Sequence, residues 1–130
     1  MGDFGRYELV ERLAVRTASE VFVVKVLGEH GFRRDIVLKR LRDDTQASAF
    51  IEDAKLSAKL SHAKIVQTLE LGRHGEVPYV AMEYVEGETL HRLLRREGTL
   101  PVKRAVTLLR QIADGVEAAH DIGILHRDLK

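Results

Sequence analysis

Three β-rich runs crowd into the first 41 residues, separated only by short polar breaks. Tyr7 to Leu13 and Glu20 to Leu27 flank Arg16-Thr17-Ala18-Ser19, and Asp35 to Leu41 follows the turn-like Gly28-Glu29-His30-Gly31. The second run is dense in Val and Phe, as strands prefer, and Gly-rich breaks of this kind make hairpins. A helix is expected next, over about Gln46 to Leu60, because Phe50, Ala54, Leu56 and Leu60 fall at helical spacing. Two further strands, about Val66 to Leu71 and Val77 to Tyr84, join through Gly72-Arg73-His74-Gly75. Hairpin-linked strands with one interposed helix predict an α+β domain: a five-stranded antiparallel sheet with one helix.

Two helices follow. A short one covers about Thr89 to Arg96. A long one starts near Pro101, whose missing N–H suits a first turn, and ends at Gly123. In the long helix Val102, Ala105, Val106, Leu108, Leu109, Ile112, Ala113, Val116, Ala119 and Ile122 cover more than one stripe. Such a helix needs cover on several sides.

Composition narrows the function classes. With 45% hydrophobic and 32% charged residues among 130, the chain suits one folded domain. The net charge of +1 gives no electrostatic reason to bind nucleic acid or an anionic membrane. There is no Cys, so disulfides and thiolate metal sites are excluded. No apolar run approaches membrane-spanning length, and a cytoplasmic location is the expectation. The six His residues carry no metal-ligand spacing, and no metal site is expected.

Five segments, in order, carry a resemblance. His126-Arg127-Asp128-Leu129-Lys130 matches the start of H-R-D-L-x-x-x-N, and Ile36-Val37-Leu38-Lys39 resembles V-A-I-K. Ser61 to Val66, Ala81-Met82-Glu83-Tyr84-Val85-Glu86-Gly87 and Gln111 to His120 fit the intervening positions. The chain thus resembles a bacterial-type serine/threonine protein kinase domain. The resemblance implies a nucleotide-binding small lobe over residues 6–85. It also implies the first part of a helical large lobe over 86–130, and a family ligand of ATP with Mg²⁺.

The same resemblance assigns the candidate residues. Asp128 would be the catalytic base and Lys130 would lie near the transferred phosphate. Lys39 would contact the α- and β-phosphates, with Asp53 standing where the family has a Glu partner on the helix. Val21 and Val37 would pack on the adenine. Met82 would be the gatekeeper, with Glu83 and Val85 offering hinge backbone groups.

Several of these positions depart from the family. The phosphate-loop pattern G-x-G-x-x-G-x-V falls on Ala14 to Val21, where Ala14, Arg16 and Ser19 replace all three glycines. Arg16 either supplies a cation to a bound anion or is a solvated hairpin tip, and the second is expected. Asp53 is one methylene short, so Lys39 is either paired with a helix drawn closer or only loosely held. The catalytic-loop Asn would fall at position 133 and the D-F-G later still. The expectation is therefore a kinase-derived, catalytically incomplete module holding no cofactor. It would act through a protein partner or as a homo-oligomer built on the 102–122 helix. The alternative is a piece of an active serine/threonine kinase that binds ATP with Mg²⁺ and phosphorylates protein hydroxyls.

Overall fold

A computed structural model describes residues 2–125. Its elements run β1 (Asp3–Phe4), β2 (Tyr7–Val15), β3 (Ser19–Leu27), β4 (Arg33–Leu41), α1 (Ala47–Ala58), β5 (Thr68–His74), β6 (Val77–Glu83), α2 (Leu90–Glu97) and α3 (Val102–Asp121). The strands form one antiparallel sheet in the order β1-β2-β3-β4-β6-β5. It has six strands, not the five expected. The extra strand, β1, is two residues long and too short to leave a pattern. A tight turn makes it: Phe4 pairs with Tyr7, and Gly5 sits at φ +62 between them. Only the first central residue of that turn has positive φ, as a II′ hairpin requires.

β5 also runs further than Gly72-Arg73-His74-Gly75 suggested. Gly72, Arg73 and His74 continue the ladder opposite Tyr79, Pro78 and Val77, and the turn is confined to Gly75 and Glu76. Gly72 acts here as a strand residue. A Cβ on it would lie 2.6 Å from Tyr79 Oη, so the glycine makes room for the cross-strand tyrosine.

Antiparallel partners point to the same side of a sheet, so the register sorts every residue onto one of two faces. Phe22 opposite Leu38, Val24 opposite Ile36, and Leu38 opposite Ala81 define the first face. It is the apolar core, completed by Phe4, Tyr7, Leu9 and Tyr79. Arg40 closes its rim, with the guanidinium 4.8 Å from the Phe22 ring and 5.5 Å from the Phe4 ring, and Nε donating to Glu20 at 3.0 Å. At the other edge Tyr7 and Tyr79 both donate to the Glu70 carboxylate, which also pairs with Arg6.

The described chain divides into two compact units. The residues up to Ser61 with Val66–Tyr84 make the first, and His62–Ile65 with the residues from Val85 onward make the second. In the second unit Thr89 caps α2 by accepting from Arg92 N at 3.2 Å. Gly98, at φ +78, ends α2. Helix α3 begins just after Pro101 and stops at Gly123, φ +81. There Gly123 N donates to His120 O and Ile124 N to Ala119 O, which is the Schellman arrangement. Gly115 lets the His62–Ile65 segment lie against α3: a Cβ there would be 3.3 Å from Lys64 O. His62 serves this turn by accepting from Lys64 N at 3.0 Å. No described helix is long and apolar enough to cross a membrane.

Candidate nucleotide site

The second sheet face collects four of the candidate residues of the first unit. Val37 pairs with Val23 on β3 and Met82 on β6, giving one row across the sheet. Lys39 pairs with Val21 and Val80, giving the next row. Val21, Val37, Lys39 and Met82 therefore share a face in two adjacent rows, all partly buried. The arrangement offers an apolar floor with a single ammonium at one end. That combination suits a flat apolar ring linked to an anionic group.

Helix α1 lies on this same face, since its Phe50 ring stands 5.7 Å from Lys39 Nζ. Asp53, three residues further, is rotated by about 60° around the helix axis and is exposed. Among the described residues Lys39 forms no ion pair, and the Lys39–Asp53 pair is not made. The shorter Asp side chain is one physical reason. The occupied position above Lys39 is another. Phe50 stands out in the sequence only as an apolar helix position, and no local signal marks it as the lysine's neighbour.

The loop between β2 and β3 carries most of the stretch that the sequence aligns with the phosphate-loop pattern. Its backbone N–H at Arg16 donates to Ser19 O at 2.8 Å, closing a tight turn. No residue from Ala14 to Glu20 has positive φ. Side-chain-bearing residues at the glycine positions therefore cause no strain, because the backbone follows a path open to any residue. Arg42, just past β4, holds this turn: its N–H donates to Ala18 O at 2.7 Å and its Nη1 to Arg16 O at 2.8 Å. Arg16 itself is exposed, with no ion pair among the described residues.

Glu83 ends β6 with its N–H and its carboxylate engaged. Its N–H donates to Gln67 O at 3.0 Å, and its carboxylate accepts from Gln67 N at 2.8 Å. Val85 belongs to the second unit, where it is 60% exposed. Asp128 and Lys130 lie outside the described residues. Among the described residues no three His, Asp or Glu side chains converge to hold a metal ion.

Comparison with known proteins decides the family. The protein kinase domain family matches residues 4–130. The chain belongs to the protein kinase domain family. This kinase domain is 36% identical over 132 residues to serine/threonine-protein kinase pkn2 of Myxococcus xanthus, covering 97% of the chain and 15% of that protein. It is 35% identical over 134 residues to serine/threonine-protein kinase PknB of Mycobacterium tuberculosis, covering 96% and 21%. Tyrosine-protein kinase MasK of Myxococcus xanthus is 34% identical, covering 97% and 22%. Among solved structures, the PknI kinase domain of Mycobacterium tuberculosis superposes with a TM-score of 0.74 at 29% identity. That match covers 98% of this chain and 53% of the other. The kinase domain described here thus spans about half of that solved domain, and a smaller share of the curated relatives.

The strand that carries Lys39 and the strand that carries Met82 are neighbours in the sheet, and their site residues face one way.

Proposed function

We propose that this kinase domain captures nucleotide phosphate poorly and acts through protein contacts rather than by phosphoryl transfer. One observation carries the reading. The loop in the phosphate-loop position has already spent its Arg16 N–H on Ser19 O, and side chains stand at all three glycine positions. Glycine-rich loops work by bringing free backbone N–H groups close to phosphate oxygens. A turn that satisfies its own donor and carries Cβ atoms offers less. Lys39 without an acidic partner adds to this, since an ion pair orients the ammonium and an aromatic face does not.

The contact surface in this proposal is α3. Val102, Val106, Leu109 and Ala113 recur at spacings of four, three and four, and so line one stripe. All four are exposed, Val102 at 81% and Leu109 at 62%. A second copy of the same helix would cover such a stripe with like side chains, as a two-fold interface does. The basic residues near α2 are a weaker candidate, because Arg96 is committed to Glu88 and Glu97, and Arg104 to Glu97.

The second reading is a domain of an active kinase that binds ATP with Mg²⁺ and phosphorylates protein hydroxyls. The shared face of Val21, Val37, Lys39 and Met82 favours it, as does the similarity to serine/threonine-protein kinases. Calorimetric titration with adenosine and with ATP, with and without Mg²⁺, separates the two. The proposal expects ATP to bind no more tightly than adenosine. ATP binding well above adenosine, strengthened by Mg²⁺ and lost in Lys39→Ala, would support the active-kinase reading instead.

A further inference from the structure

Lys39 has apolar neighbours on both sides in its row, Val21 and Val80, and these offer an ammonium nothing. What it meets is the ring of Phe50 in the first turn of α1, with Nζ 5.7 Å from the ring centroid. That distance is within the range at which a ring's quadrupole attracts a cation. Lys39 and Phe50 are both only partly exposed, so the contact is shielded on some sides from competing water.

We infer that the Phe50 ring is the resting partner of the Lys39 ammonium and competes with nucleotide phosphate for it. This rests on the reading of Lys39 as the phosphate-contacting lysine. A carboxylate partner would hold Lys39 by directional hydrogen bonds and could keep it aimed while phosphate binds. A ring has no such direction to give. Phosphate must draw the ammonium off the aromatic face, and the lost cation–π contact is subtracted from the affinity. Adenosine has no phosphate and does not engage this competition.

The test uses the full 130-residue chain. Lysine labelled with ¹³C reports the Lys39 Cε methylene by NMR, assigned through Lys39→Arg. In nucleotide-free wild type this signal is expected upfield of the other lysines, displaced by the Phe50 ring current. Phe50→Tyr keeps the displacement and Phe50→Leu abolishes it. Calorimetry then compares ATP with adenosine. Phe50→Leu is expected to tighten ATP by about two- to fivefold, the worth of a partly exposed cation–π contact. Adenosine binding stays unchanged, and Phe50→Tyr behaves as wild type. Should Phe50→Leu disturb the fold, Phe50→Met removes the ring while conserving volume.

An undisplaced Lys39 signal in wild type overturns the inference. So does unchanged ATP affinity in Phe50→Leu when Lys39→Ala weakens ATP. If Lys39→Ala also leaves ATP binding unchanged, the phosphate-contact reading has failed and takes the inference with it.

Discussion

Arg42 donates from Nη1 to the carbonyl oxygen of Arg16 at 2.8 Å, tying the end of β4 to the loop between β2 and β3. Its own N–H reaches Ala18 O at 2.7 Å, so one residue grips both ends of the loop's tip. Glycines would leave this loop free to reshape. The Arg42 clamp instead supports a single turn with no positive φ. An exposed side-chain hydrogen bond of this type contributes about 1 kcal/mol. Arg42→Ala is therefore expected to speed amide exchange at Arg16 by roughly fivefold, with core-strand amides such as Leu38 unaffected. Equal exchange at Arg16 in both proteins would show that the loop holds itself.

Gly72 and Tyr79 form a second tight relationship. The Tyr79 ring lies over Gly72, where a Cβ would be 2.6 Å from Oη and 2.7 Å from Cζ. The ring cannot retreat freely, since it packs edge-on against Phe4 and Tyr7. Gly72→Ala is expected to destabilise the fold by about 1–3 kcal/mol, as overpacking does. Urea denaturation measures this. Combining it with Tyr79→Ala should cost less than the sum of the two single changes, because the clash is then gone.

The Arg6, Tyr7, Glu70 and Tyr79 cluster predicts a dependence on pH at both ends of the scale. Hydrogen bonding from Tyr7, then the Arg6 charge, holds the Glu70 carboxyl below its ordinary value of 4.5. Its stabilising contribution is present above that value and is lost as pH falls through the lower folded value. Burial first, then the bond to Glu70, pushes the Tyr7 hydroxyl above its ordinary 10.0. That contribution is intact below pH 10 and declines above it, as the unfolded chain ionises and the folded one resists. Urea midpoints from about pH 3 to about pH 11 should fall at both ends. Glu70→Gln should flatten the acid limb, and Tyr7→Phe the alkaline one.

Much of this arrangement was legible in the sequence, for identifiable reasons. Val, Phe and Ile concentrate in runs of strand length, and Gly28, Gly75, Gly98 and Gly123 mark breaks or ends that the backbone uses. Lys39 stood out because a cation within an apolar run needs an explanation. Four features stayed hidden. β1 is two residues long, below any periodicity. The Arg42 clamp and the Phe50–Lys39 contact join residues 26 and 11 positions apart, and nothing local in sequence encodes which side chains will meet. The Glu70 cluster spans more than 60 residues and depends on a bulge between Thr68 and Glu70 that turns the carboxylate towards the tyrosines.

Leu109 offers the most direct test of the α3 surface. It is 62% exposed, so Leu109→Lys removes no described core contact of consequence, and stability should change by no more than about 0.5 kcal/mol. Self-association through the Val102, Val106, Leu109 and Ala113 stripe would place a lysine against apolar side chains of the second copy, where an unpaired charge is costly. Light scattering on a size-exclusion column should show wild type as a dimer or larger species at high micromolar concentration. Leu109→Lys should shift it towards monomer. Wild type that stays monomeric, or a variant that associates equally well, removes α3 as the contact surface and leaves the protein-contact proposal without a site.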